Sequence, residues 1–473
     1  MDTTHTTRKS FGDRLRWMID SLRGDIRNGT YKPGDYLPSE KTLVEQFHLS
    51  NKSVRKGLDA LVGEGLIVKI DRVGSRVSED APGSRVSIAL GCTGSIERDI
   101  ALSALLDDFH LLHPAIRVRT VLVRSMSDHM STAQEYIENG MIDAFTLNNL
   151  DFQSGIENGR THMLDPLSPD PHAYPFAQQA FMHDGTLLAR PLIFSPIVLA
   201  YNRDHFLEAD APEPDGSWTW DDAVRVAAAL TEPGKRHGLY FYLLSDNRWP
   251  ALLLQSGMRF DEDGAGVTDP SGSRMLDCIR LCKRLVHDRS IFPSYLSENS
   301  DDVNELFMQG KVSMILTNYM TINEFKHTGL TYDISPLPYS HEPRSLMNVI
   351  GIGVSKASKQ RDAASKLADY MASPRAQRLI REKTLSLPAV KQVAESPVEP
   401  DDAINRPSRY YLFREIMSSY RLHKELGLST GAFVALRQLL KKYWSNLIEE
   451  EELCRQLALL PGQERLPAPG PGR

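Results

Sequence analysis

One stretch near the N-terminus decides how this chain begins to fold. It runs Leu37-Pro38-Ser39-Glu40-Lys41-Thr42-Leu43, continues Phe47-His48-Leu49-Ser50-Asn51-Lys52-Ser53-Val54-Arg55-Lys56-Gly57-Leu58, and closes Gly63-Glu64-Gly65-Leu66-Ile67-Val68. The pattern predicts two short helices joined by a tight turn, with Ser39 capping the first and Ser50 the second. In the second helix Val54, Leu58 and Leu61 fall at i, i+4 and i+7, so they form one apolar stripe.

The opposite side of the second helix is polar and cationic, with Asn51, Lys52, Arg55 and Lys56. A helix-turn-helix whose second helix enters the major groove of DNA has this layout. After the helix, a β-branched run begins at Gly65, and Arg72-Val73-Gly74-Ser75-Arg76-Val77 is its predicted return strand. We predict that the two strands form a small wing.

From residue 10 to residue 78 the chain resembles the gluconate-repressor (GntR) family of winged helix-turn-helix regulators. The resemblance is carried by Ile26 with Gly29, Lys32-Pro33-Gly34-Asp35, Leu37-Pro38-Ser39-Glu40, Leu49-Ser50 through Val54-Arg55, Leu58 with Leu61, Glu64-Gly65-Leu66-Ile67, and Gly74. It implies binding to double-stranded operator DNA. The expected DNA contacts are Ser39, Lys41, Ser50, Asn51, Lys52, Ser53, Arg55, Lys56 and Gly74.

Three positions depart from the pattern of that family. Lys41 stands where the family usually has Arg, and Asn51-Lys52 replaces a common Arg-Thr pair. Gly57 lies inside the predicted recognition helix, where a glycine costs about 1 kcal/mol relative to alanine. These departures concern the base preference more than the act of binding DNA.

Length and charge indicate several domains with different partners. A chain of 473 residues is too long for one core, and about three domain-sized units are expected. Between Arg8 and Val77 there are 14 Lys or Arg and 9 Asp or Glu, whereas the whole chain has a net charge of −6. A basic head on an acidic body is typical of a nucleic-acid-binding module joined to a domain that does not bind nucleic acid.

The sequence predicts a cytoplasmic protein without a membrane span. Residues 1–10 are polar and lack the apolar core of a signal peptide, and no stretch approaches 18 apolar residues. Cys92, Cys278, Cys282 and Cys454 lack zinc-finger spacing, so we expect reduced structural thiols. No nucleophile motif, phosphate-binding loop or metal-spaced cluster is visible, so we predict no catalytic residue, no cofactor and no metal.

At Arg85 the pattern changes to alternating strands and helices. Strands are predicted at 86–90, 116–123 and 142–147, with a helix over 96–112 between the first two. Such alternation implies parallel pairing and right-handed crossovers. Residues 79–84 are a predicted linker, and the Pro/Gly-rich residues 461–473 are predicted to be disordered.

Residues 86–460 resemble the extracellular solute-binding proteins that bind carbohydrates, the maltodextrin-binding type (family 1). The ordered landmarks include Leu199-Ala200-Tyr201-Asn202, Trp218-Thr219-Trp220-Asp221-Asp222, Phe307-Met308-Gln309-Gly310-Lys311, Asp333-Ile334-Ser335-Pro336-Leu337-Pro338, Gly351-Ile352-Gly353-Val354 and Leu387-Pro388-Ala389. The resemblance implies two α/β lobes that close on a ligand. It also implies lobe crossings near Leu199, Leu337 and Pro388.

The predicted architecture is therefore an α+β winged helix-turn-helix head (residues 10–78) followed by an α/β two-lobed periplasmic-binding-protein-like clamshell, the body (residues 85–460). Lobe 1 is expected at about 85–198 and 338–388, and lobe 2 at about 199–337 and 389–460. Aromatic faces suit the C–H side of a sugar, and carboxylates and amides suit its hydroxyls. The candidate ligand contacts are Asp143, Phe194, Trp218, Trp249, Thr317, Asn318 and Tyr319. Core packing is the alternative role for the aromatic residues.

These features predict a transcriptional regulator, acting as a homodimer, whose operator affinity is controlled by a small solute such as a sugar or oligosaccharide. The alternative is a regulator with a pyridoxal-phosphate aminotransferase-like enzymatic body. Ser355-Lys356-Ala357-Ser358-Lys359 superficially resembles its lysine motif, but the Arg-x-Gly continuation is absent. A transport receptor is a third possibility, and the DNA-binding head argues against it.

Overall fold

The computed structural model describes residues 11–27, 30–71, 73–78, 86–124, 129–260, 272–293, 297–397 and 403–460. Its Cα positions cluster into two compact units, residues 1–89 with 106–120 and residues 90–105 with 121–473. The predicted linker (79–84), the predicted disordered tail (461–473) and Arg72 of the predicted wing lie outside the described residues.

The head contains three helices and a two-stranded wing. They are α1 (Phe11–Arg27), α2 (Glu40–Phe47), α3 (Asn51–Gly63), β1 (Ile67–Ile70) and β2 (Gly74–Val77). The two strands pair antiparallel, with Ile67 opposite Val77. The side-chain oxygen of Ser39 accepts from the backbone N–H of Thr42, and that of Ser50 from Ser53, so both predicted N-caps are confirmed.

The core of the head is built from all three helices and the wing. The predicted stripe of α3, Val54, Leu58 and Leu61, is completely or almost completely buried. A Cβ at Gly57 would lie 2.2 Å from the Cε atom of Met18, so α1 packs closely against α3 at this position. This close approach gives a physical reason for a glycine within the recognition helix.

The body contains twelve strands and sixteen α-helices among the described residues. The strands are β3 (Val86–Cys92), β4 (Ile116–Leu122), β5 (Ala144–Asn148), β6 (Met182–His183), β7 (Thr186–Leu187), β8 (Arg190–Asn202), β9 (His237–Tyr240), β10 (Val312–Asn318), β11 (Tyr332–Ser335), β12 (Ser345–Val354), β13 (Leu387–Pro388) and β14 (Tyr420–Arg421). The helices are α4 (Ile96–Ile100), α5 (Leu102–Leu112), α6 (His129–Glu138), α7 (Asn149–Glu157), α8 (Pro175–Gln179), α9 (Arg203–Glu208), α10 (Trp220–Leu230), α11 (Trp249–Leu254), α12 (Arg274–His287), α13 (Ser300–Met308), α14 (Arg361–Ala372), α15 (Pro374–Lys383), α16 (Lys391–Glu395), α17 (Leu412–Glu415), α18 (Thr430–Trp444) and α19 (Glu450–Leu457). Short 3₁₀ turns, including Thr321–Phe325 and His423–Leu426, lie between them.

The long strand β8 joins the two halves of the main sheet, whose order is β4-β3-β5-β12-β8-β10-β9. Its first half pairs antiparallel with β12, with Phe194 opposite Val349. Its second half pairs antiparallel with β10, with Leu199 opposite Leu316. All but the first of its residues are buried, which is typical of a strand covered on both faces.

The predicted parallel pairing is confirmed between β3 and β5, and the rest of the main sheet is mixed. β3 pairs parallel with β5, but β12 runs antiparallel to both of its neighbours, β5 and β8. β10 and β11 also pair antiparallel with β8, so both halves of β8 have antiparallel neighbours.

The helix predicted over 96–112 is broken into α4 and α5. Ala101 lies between them in the left-handed conformation, with φ of 52°. Its N–H donates to the backbone oxygen of Glu97 and ends α4, as a left-handed residue commonly does at a helix C-terminus.

None of the helices in the described ranges is both long and apolar enough to cross a membrane.

The packing of β9 against α10 provides a test of the body fold. A Cβ at Gly238 would lie 1.9 Å from the backbone oxygen of Ala227. Because that oxygen belongs to a helix backbone, Gly238→Ala should destabilise the body by about 1–3 kcal/mol. The matched control is Gly329→Ala, since nothing lies within 4 Å of a Cβ there. Urea unfolding followed by tryptophan fluorescence measures both, and an unchanged midpoint for Gly238→Ala would contradict the close approach.

Candidate functional site

The predicted DNA-contacting side chains of α3 lie on its exposed face. Asn51, Lys52, Arg55 and Lys56 are all exposed, and the apolar stripe occupies the other side of the helix. Lysine and arginine side chains supply phosphate contacts, whereas asparagine and arginine are suited to base edges. The exposed face of α3 therefore carries both kinds of DNA-binding chemistry.

The other predicted DNA contacts are placed around this face. Ser39 and Ser50 are exposed at the starts of α2 and α3, Lys41 is exposed on α2, and Gly74 is exposed at the start of β2. Ser53 differs because it is only 6% exposed and its hydroxyl is hydrogen-bonded to that of Ser50 at 2.7 Å. This corrects the expectation of an accessible Ser53 side chain, because it faces the helix cap.

A cavity of about 630 Å³ lies between the start of α2, the recognition helix and the wing. Its lining brings together Ser39, Arg55 and Gly74 from the predicted set, and it adds Tyr36 and Lys69. Tyr36 is 51% exposed. The wing and the recognition helix thus border one continuous concave surface in the head.

Glu40 orients Arg55 on this surface. The Nε–H group of Arg55 donates to the Glu40 carboxylate at 2.8 Å, and the Arg55 side chain remains 66% exposed. Hydrogen bonding to Glu40 raises the pKa of Arg55, so the guanidinium stays charged. As the first residue of α2, Glu40 also complements the helix dipole. The pairing was missed because the two residues belong to different helices.

The aromatic residues predicted to stack on a sugar are buried in the body. Phe194, Trp249 and Tyr319 have no exposed surface, and Trp218 is 8% exposed. The Trp249 ring lies 4.6 Å from that of Phe433, centroid to centroid. This corrects the expectation of exposed stacking rings, because apolar burial holds them in the core.

The neighbouring polar candidates have internal partners. The Tyr319 hydroxyl donates to the backbone oxygen of Tyr410 at 2.9 Å. Asn318 caps the 3₁₀ turn Thr321–Phe325 by accepting from the N–H groups of Met320 and Thr321. Thr317 is fully buried within β10. These residues support the fold around the end of β10.

Asp143 lies at the amino end of its strand. It precedes β5, and its carboxylate accepts a hydrogen bond of 2.6 Å from the Ser358 hydroxyl. The carboxyl end of β5 is instead followed by Asn149, the first residue of α7. Ligands of open α/β sheets bind beyond the carboxyl ends of strands, and Asn149 has that position whereas Asp143 does not.

Asn149 belongs to a polar chain with Asp246, His423 and Arg437. The Asn149 amide donates to Nδ1 of His423 at 3.3 Å, and Nε2–H of His423 donates to the backbone oxygen of Asp246 at 2.8 Å. Arg437 donates to both Asp246 carboxylate oxygens, at 2.8 and 2.9 Å. The polar chain therefore connects Asn149, a residue of predicted lobe 1, to three residues of predicted lobe 2.

The residues of the polar chain differ in how accessible they are to solvent. His423 is 3% exposed, and burial lowers its pKa, which keeps the imidazole neutral near pH 7. The Arg437 and Asp246 side chains remain 30% and 37% exposed. The ion pair is therefore partly open to solvent, whereas His423 supports it from the interior.

A second side-chain link joins the predicted lobes through Arg98 of α4. Its Nη1 group donates to Glu324 and lies 3.8 Å from Asp301, and its Nε–H donates to Asp99 at 2.9 Å. Asn304 donates to the other oxygen of Glu324 at 2.9 Å. Burial raises the pKa of Glu324, and the charge of Arg98 opposes that shift.

Two family profiles match this chain. The profile described as "Bacterial regulatory proteins, gntR family" matches residues 18–77, and that described as "Bacterial extracellular solute-binding protein" matches residues 104–407. The fold and these matches define a winged helix-turn-helix head fused to a solute-binding domain. The chain belongs to the bacterial extracellular solute-binding protein family, and it carries a gntR-family head.

Curated relatives match the two parts separately. The galactooligosaccharide-binding protein of Bacillus subtilis (strain 168) is 27% identical over 249 residues, which is 49% of this chain and 57% of that protein. The HTH-type transcriptional repressor NagR of the same organism is 39% identical over 62 residues, 13% of this chain and 26% of that repressor. The chain spans about half the length of the solute-binding relatives it matches.

Solved structures share the fold of the body. An ABC substrate-binding protein from Listeria monocytogenes, in complex with cycloalternan, superposes with a TM-score of 0.66 at 22% identity, covering 79% of this chain and 97% of its own. The GacH receptor of Streptomyces glaucescens gives a TM-score of 0.67 at 21% identity, covering 80% of this chain and 99% of its own. The predicted fold class, a winged helix-turn-helix head followed by a two-lobed solute-binding fold, is confirmed.

The exposed face of α3 predicts a specific salt dependence of DNA binding. Lys52→Ala should weaken binding to all sequences and lower the slope of log affinity against log salt by about 1, because one phosphate contact is lost. Lys391→Ala, at an exposed lysine of the body, is the matched control. Fluorescence anisotropy with operator DNA at several salt concentrations measures the slope. Full-strength operator binding by a Lys52→Ala, Arg55→Ala double variant would rule out this DNA-binding face.

Proposed function

We propose that this protein is a cytoplasmic transcriptional regulator whose operator affinity is controlled by a carbohydrate bound to the body. The observation that carries the proposal is the joining, in one chain, of a head with an exposed cationic recognition helix and a solute-binding domain. A head of this kind supplies DNA affinity, and the body supplies a site for a small solute. Over residues 104–407 the match is to a solute-binding family, which leaves the aminotransferase-like alternative without support.

The proposed DNA-bound form is a homodimer on a palindromic operator. One recognition helix contacts too few base pairs for useful specificity, and two-fold dimers on two half-sites are the common solution. Asn51 and Arg55 are the proposed base-reading residues of each head. Lys41, Lys52 and Lys56 are the proposed phosphate contacts.

The proposed effector is a sugar or oligosaccharide. The galactooligosaccharide-binding relative supports this class, and so do the carbohydrates named with the structural neighbours. The Asp246–Arg437 pair supplies a carboxylate and a guanidinium, groups that hydrogen-bond sugar hydroxyls, and both are partly exposed. A sugar hydroxyl would bind by forming hydrogen bonds with Asp246 and Arg437 in place of some that the two residues make to each other.

The two links between the predicted lobes offer a route from ligand to head. The polar chain and the Arg98–Glu324 pair both join residues assigned to different lobes. A sugar that competes for the Asp246–Arg437 pair changes the balance between the arrangements of the lobes. A ligand shifts that balance only by its differential affinity for the two arrangements.

The effector site is tested by screening and by substitution. Thermal-shift screening against mono- and oligosaccharides should identify a sugar that raises the melting temperature, because binding to the folded state stabilises it. Arg437→Gln should weaken calorimetric affinity for that sugar at least tenfold, which is about 1.4 kcal/mol. Arg361→Gln, which breaks the Arg361–Asp165 pair elsewhere on the body, is the matched control. Equal sugar affinity for the wild type, Arg437→Gln and Arg361→Gln would show that Arg437 does not contribute to the effector site.

The coupling between body and head is tested through the linker. Residues 79–84 extend over about 20 Å at most, so the head cannot move far from the start of the body. Inserting about fifteen Gly/Ser residues should abolish the effect of sugar on operator affinity and leave each separate binding event intact. If the lengthened protein still responds fully to the sugar, head placement does not transmit the signal.

A further inference from the structure

Arg381 is a buried cation whose side-chain nitrogen atoms have no hydrogen-bond partner among the residues that the structure describes. It lies in the last turn of α15 and is 2% exposed. Within the part of the chain that the structure describes, its Nε, Nη1 and Nη2 atoms are all unpaired. A buried charge without a partner is strongly unfavourable, so this arrangement requires a physical explanation.

A second arginine, Arg406, lies close to the same tyrosine ring as Arg381. The Cζ atoms of Arg381 and Arg406 are 4.4 and 4.5 Å from the ring centroid of Tyr410. The two like charges are therefore within about 9 Å of each other, close enough to repel in a partly buried environment. Nη1 of Arg406 also lacks a hydrogen-bond partner among the described residues. Burial lowers the pKa of Arg406, and the charge of Arg381 acts in the same direction.

Stacking and helix capping explain only part of this cluster. Arg406 donates to the backbone oxygen of Arg381 at 3.4 Å, and Lys326 donates to that of Lys383 at 3.2 Å. These bonds satisfy carbonyl groups at the C-terminus of α15, where cations are favoured. They leave the guanidinium of Arg381 unsatisfied. The Tyr410 hydroxyl donates to the backbone oxygens of Leu385 and Ser386, and none of the Arg381 side-chain nitrogen atoms is bonded to it.

No carboxylate neutralises the cluster within the described ranges. None of the cations of this cluster forms an ion pair there: Arg381, Arg406, Lys326 and Lys383. By contrast, four other arginines of the body pair with carboxylates: Arg98, Arg280, Arg361 and Arg437. Stacking on tyrosine stabilises a guanidinium but fills none of its N–H directions. The unpaired N–H groups and the excess of positive charge both favour an anion.

We propose that Arg381 and Arg406 form a binding site for a tetrahedral oxyanion, either free phosphate or the phosphoryl group of a small metabolite. The planar fork of a guanidinium matches phosphate oxygens with two parallel hydrogen bonds. Arg381 supplies the interior donors, and the partly exposed Arg406 supplies the side from which the anion enters. The site uses none of the residues of the polar chain, so it does not depend on the proposed carbohydrate effector.

The site also spans the predicted lobe boundary. Arg381 belongs to the residues assigned to lobe 1, whereas Arg406 and Lys326 belong to those assigned to lobe 2. An anion held by both arginines would therefore favour the arrangement of the lobes described here.

The test compares phosphate with chloride at equal ionic strength. Isothermal calorimetry on the full chain should show inorganic phosphate binding to the wild type, with no matching signal from sodium chloride. Arg381→Met and Arg406→Met should each weaken phosphate binding at least tenfold. Arg378→Gln, which removes an exposed arginine from the same helix, should leave it unchanged. No phosphate binding by the wild type, or equal binding by all four proteins, would overturn the proposal.

Two further measurements distinguish an anion site from a purely structural role of Arg381 and identify the anion. Without phosphate, Arg381→Met should melt at the wild-type temperature or higher, because it removes an unpaired buried charge. A lower melting temperature, with phosphate binding retained in Arg406→Met, would show a purely structural role and overturn the proposal. Glucose 6-phosphate is compared with inorganic phosphate, and tighter binding of the sugar phosphate identifies a phosphorylated metabolite, whereas equal binding identifies free phosphate.

The carboxylates that precede Arg406 in the sequence provide the last control. Glu399, Asp401 and Asp402 are neutralised together by Glu399→Gln, Asp401→Asn and Asp402→Asn. If phosphate binds only to this triple variant and not to the wild type, the carboxylates of the chain itself occupy the site and the proposal is wrong. Equal binding by both proteins supports a free anion as the occupant.

Discussion

Strand β8 is shared by both halves of the body. Its backbone pairs with β12 up to Pro196 and with β10 from Ile197 onward, so its partners change within two residues. The neighbouring Ser195 is fully buried, and its hydroxyl oxygen accepts a hydrogen bond of 2.6 Å from the backbone N–H of Tyr319. Because this continuous strand is hydrogen-bonded on both sides of the change of partners, it holds the two halves of the sheet together.

The side chains around this change of partners in β8 are buried. Phe194 and Tyr319 lie beside the change of partners, and the C-terminal segment covers them through Tyr410 and Phe413. Buried rings of this size stabilise the junction through the area they remove from water. The rings therefore support the junction, and the proposed ligand contacts are polar groups that remain partly exposed, such as the Asp246–Arg437 pair.

The sequence predicted the head better than the site in the body, for a physical reason. The caps at Ser39 and Ser50 and the stripe of α3 are local patterns, so a single sequence contains them. The contact between Asn149 and His423 joins residues 274 positions apart, and only the folded chain brings them together. Residue type alone did not distinguish a buried tryptophan from a sugar-stacking one. Asp143 directly precedes β5, which begins at Ala144, and its bond to Ser358 joins residues 215 positions apart.

The central claim is that one chain links sugar binding by the body to DNA binding by the head. Linkage requires the effect to be reciprocal, since two ligands of one protein change each other's affinity by the same factor. The direct measurement is calorimetric titration of the sugar found by screening, with and without saturating operator DNA. The account predicts that operator DNA changes the sugar affinity by about 5–150-fold, by the same factor as the sugar changes operator affinity. The same sugar affinity with and without operator DNA would contradict it.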